Sequence, residues 1–413
     1  MASEKYWIWL TLGQEPPYTL ALRAAEHFGS PENAYFADEG SVRASSKFDE
    51  SECRRLSDKN LDRAELILER CERGGMSILT IQDAGYPERL RNIPDPPALL
   101  YTLGTLPFMD EELALGVVGT RSATAYGVSV TERLCSQLAS SGVVIVSGMA
   151  EGVDAAAHHG ALRAGGRSVA VLGGGADVIY PAVNRELYAD IRAAGAIVSE
   201  YPPGAETAGR HFPVRNRLIS GLSLGVMVTE APLRSGALIT ARLALEQGRD
   251  VFAVPGSIDA SASAGCNQLI KEGAALVTSA GDVLAEYAAL YPHKIAQNAG
   301  LEPMPPEYAE KAAERAARSK TPAGEREKAG GSQRAEFMRD AFVDLTQKTE
   351  CMTPVRRAII FCVAGEVRHV DQIAKLTGTA MTVLLPELTL MEVEGLIRRL
   401  PGNRFEINPE VMG

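Results

Sequence analysis

Three rhythms of apolar and polar positions run along this chain of 413 residues. Over residues 1 to about 75 the rhythm is helical: YWIWLTL, then TLALRAAEHFG, then LDRAELILERCERGG, where Leu61, Leu66, Ile67 and Cys71 recur on one helix face and two glycines end the run. Between about 113 and 290 short, nearly continuous apolar runs take over: LALGVV, VVIVS, SVAVLG, AIVSE, GVMVTE, VFAVP and ALVTS. Runs of this kind predict strands buried on both faces. The room for a helix between successive runs makes the fold class α/β, a doubly wound, mostly parallel sheet. The stretch between the two regions, with AGYPERL and DPPALLYTLG, reads as a bridge of turns marked by proline and glycine.

Beyond the sheet the pattern fades and then returns. From about 295 to 350 Ala, Glu, Lys, Arg and Pro dominate, with too few bulky apolar residues for a core, so a partly helical linker is expected. TPVRRAIIFCVAG, HVDQIAKLTG and TAMTVLLPELTLMEVEG then predict three helices, and LIRRLPGNRFEI predicts two strands turning at Pro401-Gly402-Asn403. That is the outline of a winged helix. The expected domains are a small helical one over 1–75, the sheet domain over 76–290, a linker over 291–350 and the winged helix over 351–413.

Charge narrows the function. A net charge of −10 and a pI near 5.3 argue against a protein that coats duplex DNA through a broad basic face, while leaving room for local patches. The first 75 residues carry fourteen acidic against ten basic side chains, which favours helical packing or partner contact over DNA contact. No apolar run approaches the roughly 18 residues of a membrane span, and the first residues lack the features of a secretory signal, so a cytoplasmic protein is expected. Six cysteines lie far apart, without CxxC or clustered histidines, and indicate neither a disulfide framework nor a metal site.

The candidate chemistry lies at the strand ends. In an open parallel sheet, ligands bind beyond the carboxyl ends of the strands, where loops feed helix N-termini whose free N–H groups attract anions. This chain places its glycines there, in GTRSATAYG, SGMAEGVDAAAHHGAL, GGGADVIYP and PGS. Neither GxGxxG nor GxxxxGK[ST] occurs, so no nucleotide cofactor is expected. HFPVRNRLISG sets a ring, Phe212, beside Arg215, Asn216 and Arg217 at the entry to a helix, a combination suited to a base and its phosphate. The competing account has Asn216 and Arg217 pairing internally while Phe212 packs in the core. Ser147, Asp154 and His158 imitate a hydrolytic triad, but Ser147 is not in GxSxG, and Asp154 and His158, four apart on one helix, form a local hydrogen bond more simply. Glu200 and Glu230 end two strands, where they either work on a sugar bond or accept hydrogen bonds from neighbouring loops.

GTR, SGMAEGVDAAAH, VLGGGADVIYP, SEYPPG, FPVRNRLISGLS, EAPLRSGALITARLALEQGRDVFAVPG and GCNQLIKEGA, in this order, closely resemble the DNA-processing protein A (DprA/Smf) family over residues 86 to about 285. The helical start is similar to that family's sterile-alpha-motif-like domain and the ending to its winged helix. The resemblance implies an extended Rossmann-like fold that binds single-stranded DNA, forms a homodimer through that domain and loads the RecA recombinase in natural transformation, without catalysis, metal or cofactor. It implies Gly119, Thr120 and Arg121 at a phosphate, Phe212 stacked on a base, Arg215, Asn216 and Arg217 lining the same pocket, Ser235 and Gly236 in a neighbouring loop, and Arg210 where relatives carry a lysine.

The alternative is a phosphoribohydrolase-like enzyme on nucleotides or nucleotide sugars, against which the absence of PGGxGTxxE counts. A purely scaffolding protein is the third class, and it would bind no oligonucleotide. In the terminal domain, TAMTVLLPELTLMEVEG carries Glu387, Glu392 and Glu394 and no Lys or Arg, which favours a protein contact or regulation over duplex reading; Arg398, Arg399 and Arg404 on the wing keep DNA open.

Overall fold

The computed structural model describes residues 4–291 continuously, and beyond them residues 356, 359, 368–377, 384, 387–388, 390–392, 396–400 and 404–407. The expected linker over 291–350 falls almost wholly outside the described residues. Six helices open the chain: α1 (Glu4–Thr11), α2 (Thr19–Phe28), α3 (Pro31–Phe36), α4 (Glu39–Ala44), α5 (Glu50–Ser57) and α6 (Asp62–Gly74). Their boundaries follow local chemistry. Ser30 caps α3 ahead of Pro31, Asp49 and Glu52 form a reciprocal capping box on α5, and Gly75 ends α6 in the left-handed conformation, φ +63°.

Nine strands then form one sheet: β1 (Ser77–Thr80), β2 (Leu99–Gly104), β3 (Ala114–Val118), β4 (Val144–Ser147), β5 (Ser168–Leu172), β6 (Ala196–Ser199), β7 (Gly225–Val228), β8 (Asp250–Ala253) and β9 (Ala275–Leu276). Their order is β1-β2-β6-β5-β4-β3-β7-β8-β9. Pairing is parallel from β6 across to β9, whereas β2 runs antiparallel to both β1 and β6. The seven expected strands are all present. The bridge of turns expected near residue 76–112 instead supplies β1 and β2: LLYT is buried along its whole length, and its flanking Pro97 and Gly104 punctuate a strand.

Between the strands run α7 (Glu88–Arg91), α8 (Ala125–Ser140), α9 (Val153–Arg163), α10 (Arg185–Ala194), α11 (His211–Gly221), α12 (Gly236–Glu246), α13 (Ala264–Lys271) and α14 (Ala280–Tyr287). Alternation along each strand assigns them to layers. Val144, Val146, Val169, Val171, Val226 and Val228 point to the face covered by α7, α11, α12 and α13. Leu115, Val117, Ile145 and Met227 point to the face under α8, α9 and α14.

At the far end of that second face, Leu99, Tyr101, Leu103 and Ile197 share a core with α10 and with Trp7, Ile8, Leu10 and Leu56 of the first helices. The N-terminal helices are therefore continuous with the sheet and belong to its compact unit. A helix as apolar all round as YWIWLT is stable only when buried, and α1 is.

A second unit carries the C-terminal residues. Its helix α15 (Val370–Thr377) accompanies strands β10 (Arg368–His369), β11 (Ile397–Leu400) and β12 (Arg404–Ile407), and β11 and β12 pair in the expected hairpin, Leu400 opposite Arg404. Ile359, Ile373, Leu384, Leu388 and Phe405 form its core.

His158 of α9 is wholly enclosed. Its Nδ1 lies 2.7 Å from Ser168 Oγ, and burial pulls the imidazole from 6.5 down to about 3. The native state thus holds this ring neutral while the unfolded chain protonates it near 6.5. Stability from this group is complete above about pH 6.5 and declines as pH falls toward 3, with a slope of up to about 1.4 kcal/mol per pH unit. Urea midpoints between pH 7 and 4.5 should drop more steeply in the native protein than in a His158→Gln variant; equal slopes would show that another group governs the acid limb.

Candidate nucleic-acid interface

The carboxyl ends of β3, β4 and β5 surround a cleft of about 160 Å³, walled in part by Arg121, Gly148, Gly173, Tyr180, Thr207 and Phe212. The loop after β3 is clamped from below. Thr120 N–H donates to Glu230 O at 2.7 Å, and the buried Glu230 carboxylate accepts from Thr124 N–H at 2.7 Å and Thr124 Oγ1 at 2.6 Å. Glu230 therefore serves the second of its two expected roles, holding a loop at a helix N-terminus, where a carboxylate is favoured. Gly119 is required by packing: a Cβ there would sit 2.5 Å from Val153 Cγ2 and 2.7 Å from Glu230 O.

The loop after β4 is equally constrained. Met149 adopts φ +60°, a region in which a residue with a side chain costs about 1–3 kcal/mol, and Asn184 Nδ2 holds its carbonyl at 2.8 Å. Ser147 Oγ donates to Val117 O at 2.6 Å, Asp154 accepts from Ala150 N–H, and His158 is paired with Ser168. The expected Asp154–His158 bond does not form, because α9 turns His158 toward β5. These three side chains make no relay.

The arginines of α11 differ from expectation. Arg215 is buried, with Nη1 donating to Gly148 O at 2.8 Å and also to Val171 O, while Nε donates to Asn216 Oδ1 at 3.2 Å. Burial lowers Arg215 to about 10, against the opposing charge of Asp154, so it stays cationic near neutrality. Arg217 is buried too, and its two terminal nitrogens grip the Glu200 carboxylate at 2.8 and 2.9 Å. Burial pushes the Glu200 carboxyl upward and the Arg217 fork pulls it back. The expectation that Arg215 and Arg217 line the pocket is therefore corrected: both guanidiniums are spent on strand-end carbonyls and a buried carboxylate. Asn216 is half-buried and turned to Arg215.

What α11 does present to the cleft is Phe212, half-buried in the helix's first turn. The Arg121 guanidinium lies 4.5 Å from its ring centroid. Arg121 is exposed and forms no ion pair with a carboxylate among the described residues. A guanidinium on an aromatic face, open to solvent, offers a fork for a phosphate and a surface for a base.

Arg210 stands just before α11 and is held by Glu15 of the N-terminal segment, Nε to Oε2 at 2.9 Å and Nη2 to Oε1 at 2.5 Å. Ser235 caps α12 through Ala237 N–H at 3.3 Å, with Gly236 exposed beside it; neither lines the cleft. Tyr180 and Thr207 do line it and were not singled out from sequence. GGGADVIYP marked the loop, and nothing in its spacing distinguishes an inward from an outward tyrosine.

A family model described as DNA recombination-mediator protein A matches residues 77–288, and one described as DprA winged helix domain matches residues 345–403. The chain belongs to the DNA recombination-mediator protein A family. Protein Smf of a Synechocystis species is 35% identical across 98% of this chain and 99% of its own length. DNA processing protein DprA of Streptococcus pneumoniae is 48% identical across 50% of this chain and 73% of its own. The X-ray structure of DprA from Streptococcus pneumoniae superposes with a TM-score of 0.60 at 37% identity, covering 69% of this chain and 98% of that one.

Within this DprA family member the arginines divide into two kinds, and stability measurements should separate them. Arg217→Ala leaves Glu200 buried and unpaired, a change expected to cost about 3–5 kcal/mol in urea unfolding. Arg121→Ala removes an exposed side chain and should stay within about 0.5 kcal/mol. Equal losses would place Arg121 in the structural set.

Proposed function

We propose that this protein is a non-enzymatic mediator that binds unpaired DNA in the cleft above β3, β4 and β5 and delivers it to the RecA recombinase. The observation that carries this reading is the Arg121–Phe212 pair, a solvent-facing cation stacked on a ring at the strand ends where an α/β sheet receives its ligands. Base stacking contributes about 1–3 kcal/mol per base whatever the base, which suits a protein that must accept any sequence. Membership of a recombination-mediator family supports the same direction.

DNA contact is carried by Arg121, Phe212 and the backbone of the Gly119–Thr120 turn, with Arg210 joining as phosphate displaces Glu15. Arg215, Asn216 and Arg217 act from beneath by fixing α11, and Ser235 and Gly236 belong to the neighbouring loop. A homodimer through the sheet domain doubles a short contact track by effective concentration. The domains work as a helical segment over 1–75, the DNA-binding sheet over 76–290, a linker and a winged helix devoted to protein contact, in the cytoplasm. Hydrolysis of nucleotides or nucleotide sugars is disfavoured because Glu200 and Glu230 are both engaged in buried contacts.

Fluorescence anisotropy with a labelled oligothymidylate tests the reading. Affinity should fall as salt rises, and Arg121→Ala should weaken binding and flatten the log–log salt slope by about 0.7. Phe212→Ala should weaken binding by roughly tenfold with the slope unchanged. Duplex should compete poorly. Full affinity in both variants would move the binding surface away from this cleft.

A further inference from the structure

The cleft holds a second ring that the contact set above does not use. Tyr180 sits on the loop after β5, about half exposed, with its ring centroid 5.9 Å from that of Phe212 and the two planes inclined by 34°. Its hydroxyl makes no hydrogen bond among the described residues, so no internal bond accounts for its position. The loop behind it is firm: Val178 N–H donates to Gly175 O at 2.9 Å, Asn184 N–H to Pro181 O at 3.1 Å, and the Asn184 side chain ties the segment to Met149 O.

Two parallel rings that sandwich one base need about twice the stacking distance of about 3.4 Å between them. At 5.9 Å and 34° this pair is too close and too inclined for that. Nor can two bases lying on these rings remain stacked on each other, because their planes would inherit the tilt. We propose that Tyr180 is a second stacking platform, taking the base next to the one on Phe212, and that the pair holds two consecutive bases splayed apart. The ligand class is an unpaired dinucleotide unit within a longer strand. Selectivity for single strands follows from geometry, since a duplex keeps neighbouring bases parallel and paired and can offer at most one to the cleft.

The proposal rests on the single-strand reading of the cleft, and the experiment separates the two. Anisotropy titrations of the full chain compare the native protein with Tyr180→Ala, Tyr180→Phe, Phe212→Ala and the double alanine variant, each first checked for an unchanged thermal midpoint. Tyr180→Ala should weaken oligothymidylate binding by roughly tenfold while leaving the weak duplex binding unchanged, so that single-strand preference falls by the same factor. Tyr180→Phe should retain native affinity, because the ring face carries the contact. The double variant should bind clearly more weakly than either single variant, with any departure from a simple product reporting the coupling between two rings in contact. Native-like affinity in Tyr180→Ala, or a double variant no weaker than Phe212→Ala alone, would overturn the proposal, the latter by showing that Tyr180 only supports its neighbour. A native protein that binds no oligonucleotide would instead remove the single-strand reading itself.

Discussion

The site depends on two buried cations. Arg215 joins the carbonyls of Gly148 and Val171, at the ends of β4 and β5, and Arg217 joins the carboxylate of Glu200, just past the end of β6. Through these bonds α11 is pinned across three consecutive strand ends. Phe212, one turn before Arg215, is thereby held against Gly173, where an added Cβ would come within 3.3 Å of the ring. Burying two guanidiniums is costly, and the cost is met only because their donors reach backbone carbonyls, a side-chain amide and a paired carboxylate.

The glycines obey the same constraint. A Cβ at Gly148 would meet the Arg215 guanidinium at 2.5 Å, and one at Gly152 would meet Thr120 O at 2.4 Å. These residues let a buried cation and two neighbouring loops approach the strand ends closely. Room for a ligand is a consequence: with the loops drawn down, Arg121, Tyr180 and Phe212 are left standing above them.

Much of this was legible in sequence and some was not, for identifiable reasons. Apolar runs revealed seven strands because parallel strands are buried on both faces and leave no polar alternation. β2 reads as part of a bridge of turns because Pro94, Pro96, Pro97 and Gly104 crowd around LLYT, and flanking punctuation outweighs a short apolar run. The helical segment reads as a domain of its own because its amphipathic periodicity is complete; that Trp7 and Ile8 share a core with Leu99 and Tyr101 is visible only in the structure. FPVRNR marked the right helix. It could not show which arginine faces outward, since Arg215 and Arg217 look alike in sequence and the partner that removes Arg217 lies seventeen residues away, at Glu200.

In a chain of net charge −10, a cation stays available to an anionic ligand only where few of the chain's own carboxylates compete for it. Arg121 achieves this by stacking on Phe212, a partner that a phosphate does not have to displace. Arg210 takes the opposite course and is paired in the free protein with Glu15. Both partners of that pair are exposed, so solvent screens it and it contributes little to stability. Tyr18, three residues after Glu15, donates to Glu200 O, so the segment that carries the competing carboxylate is moored to the same strand end that anchors Arg217. The N-terminal segment thus combines an exposed ion pair to Arg210 with a buried mooring at the strand end beneath it.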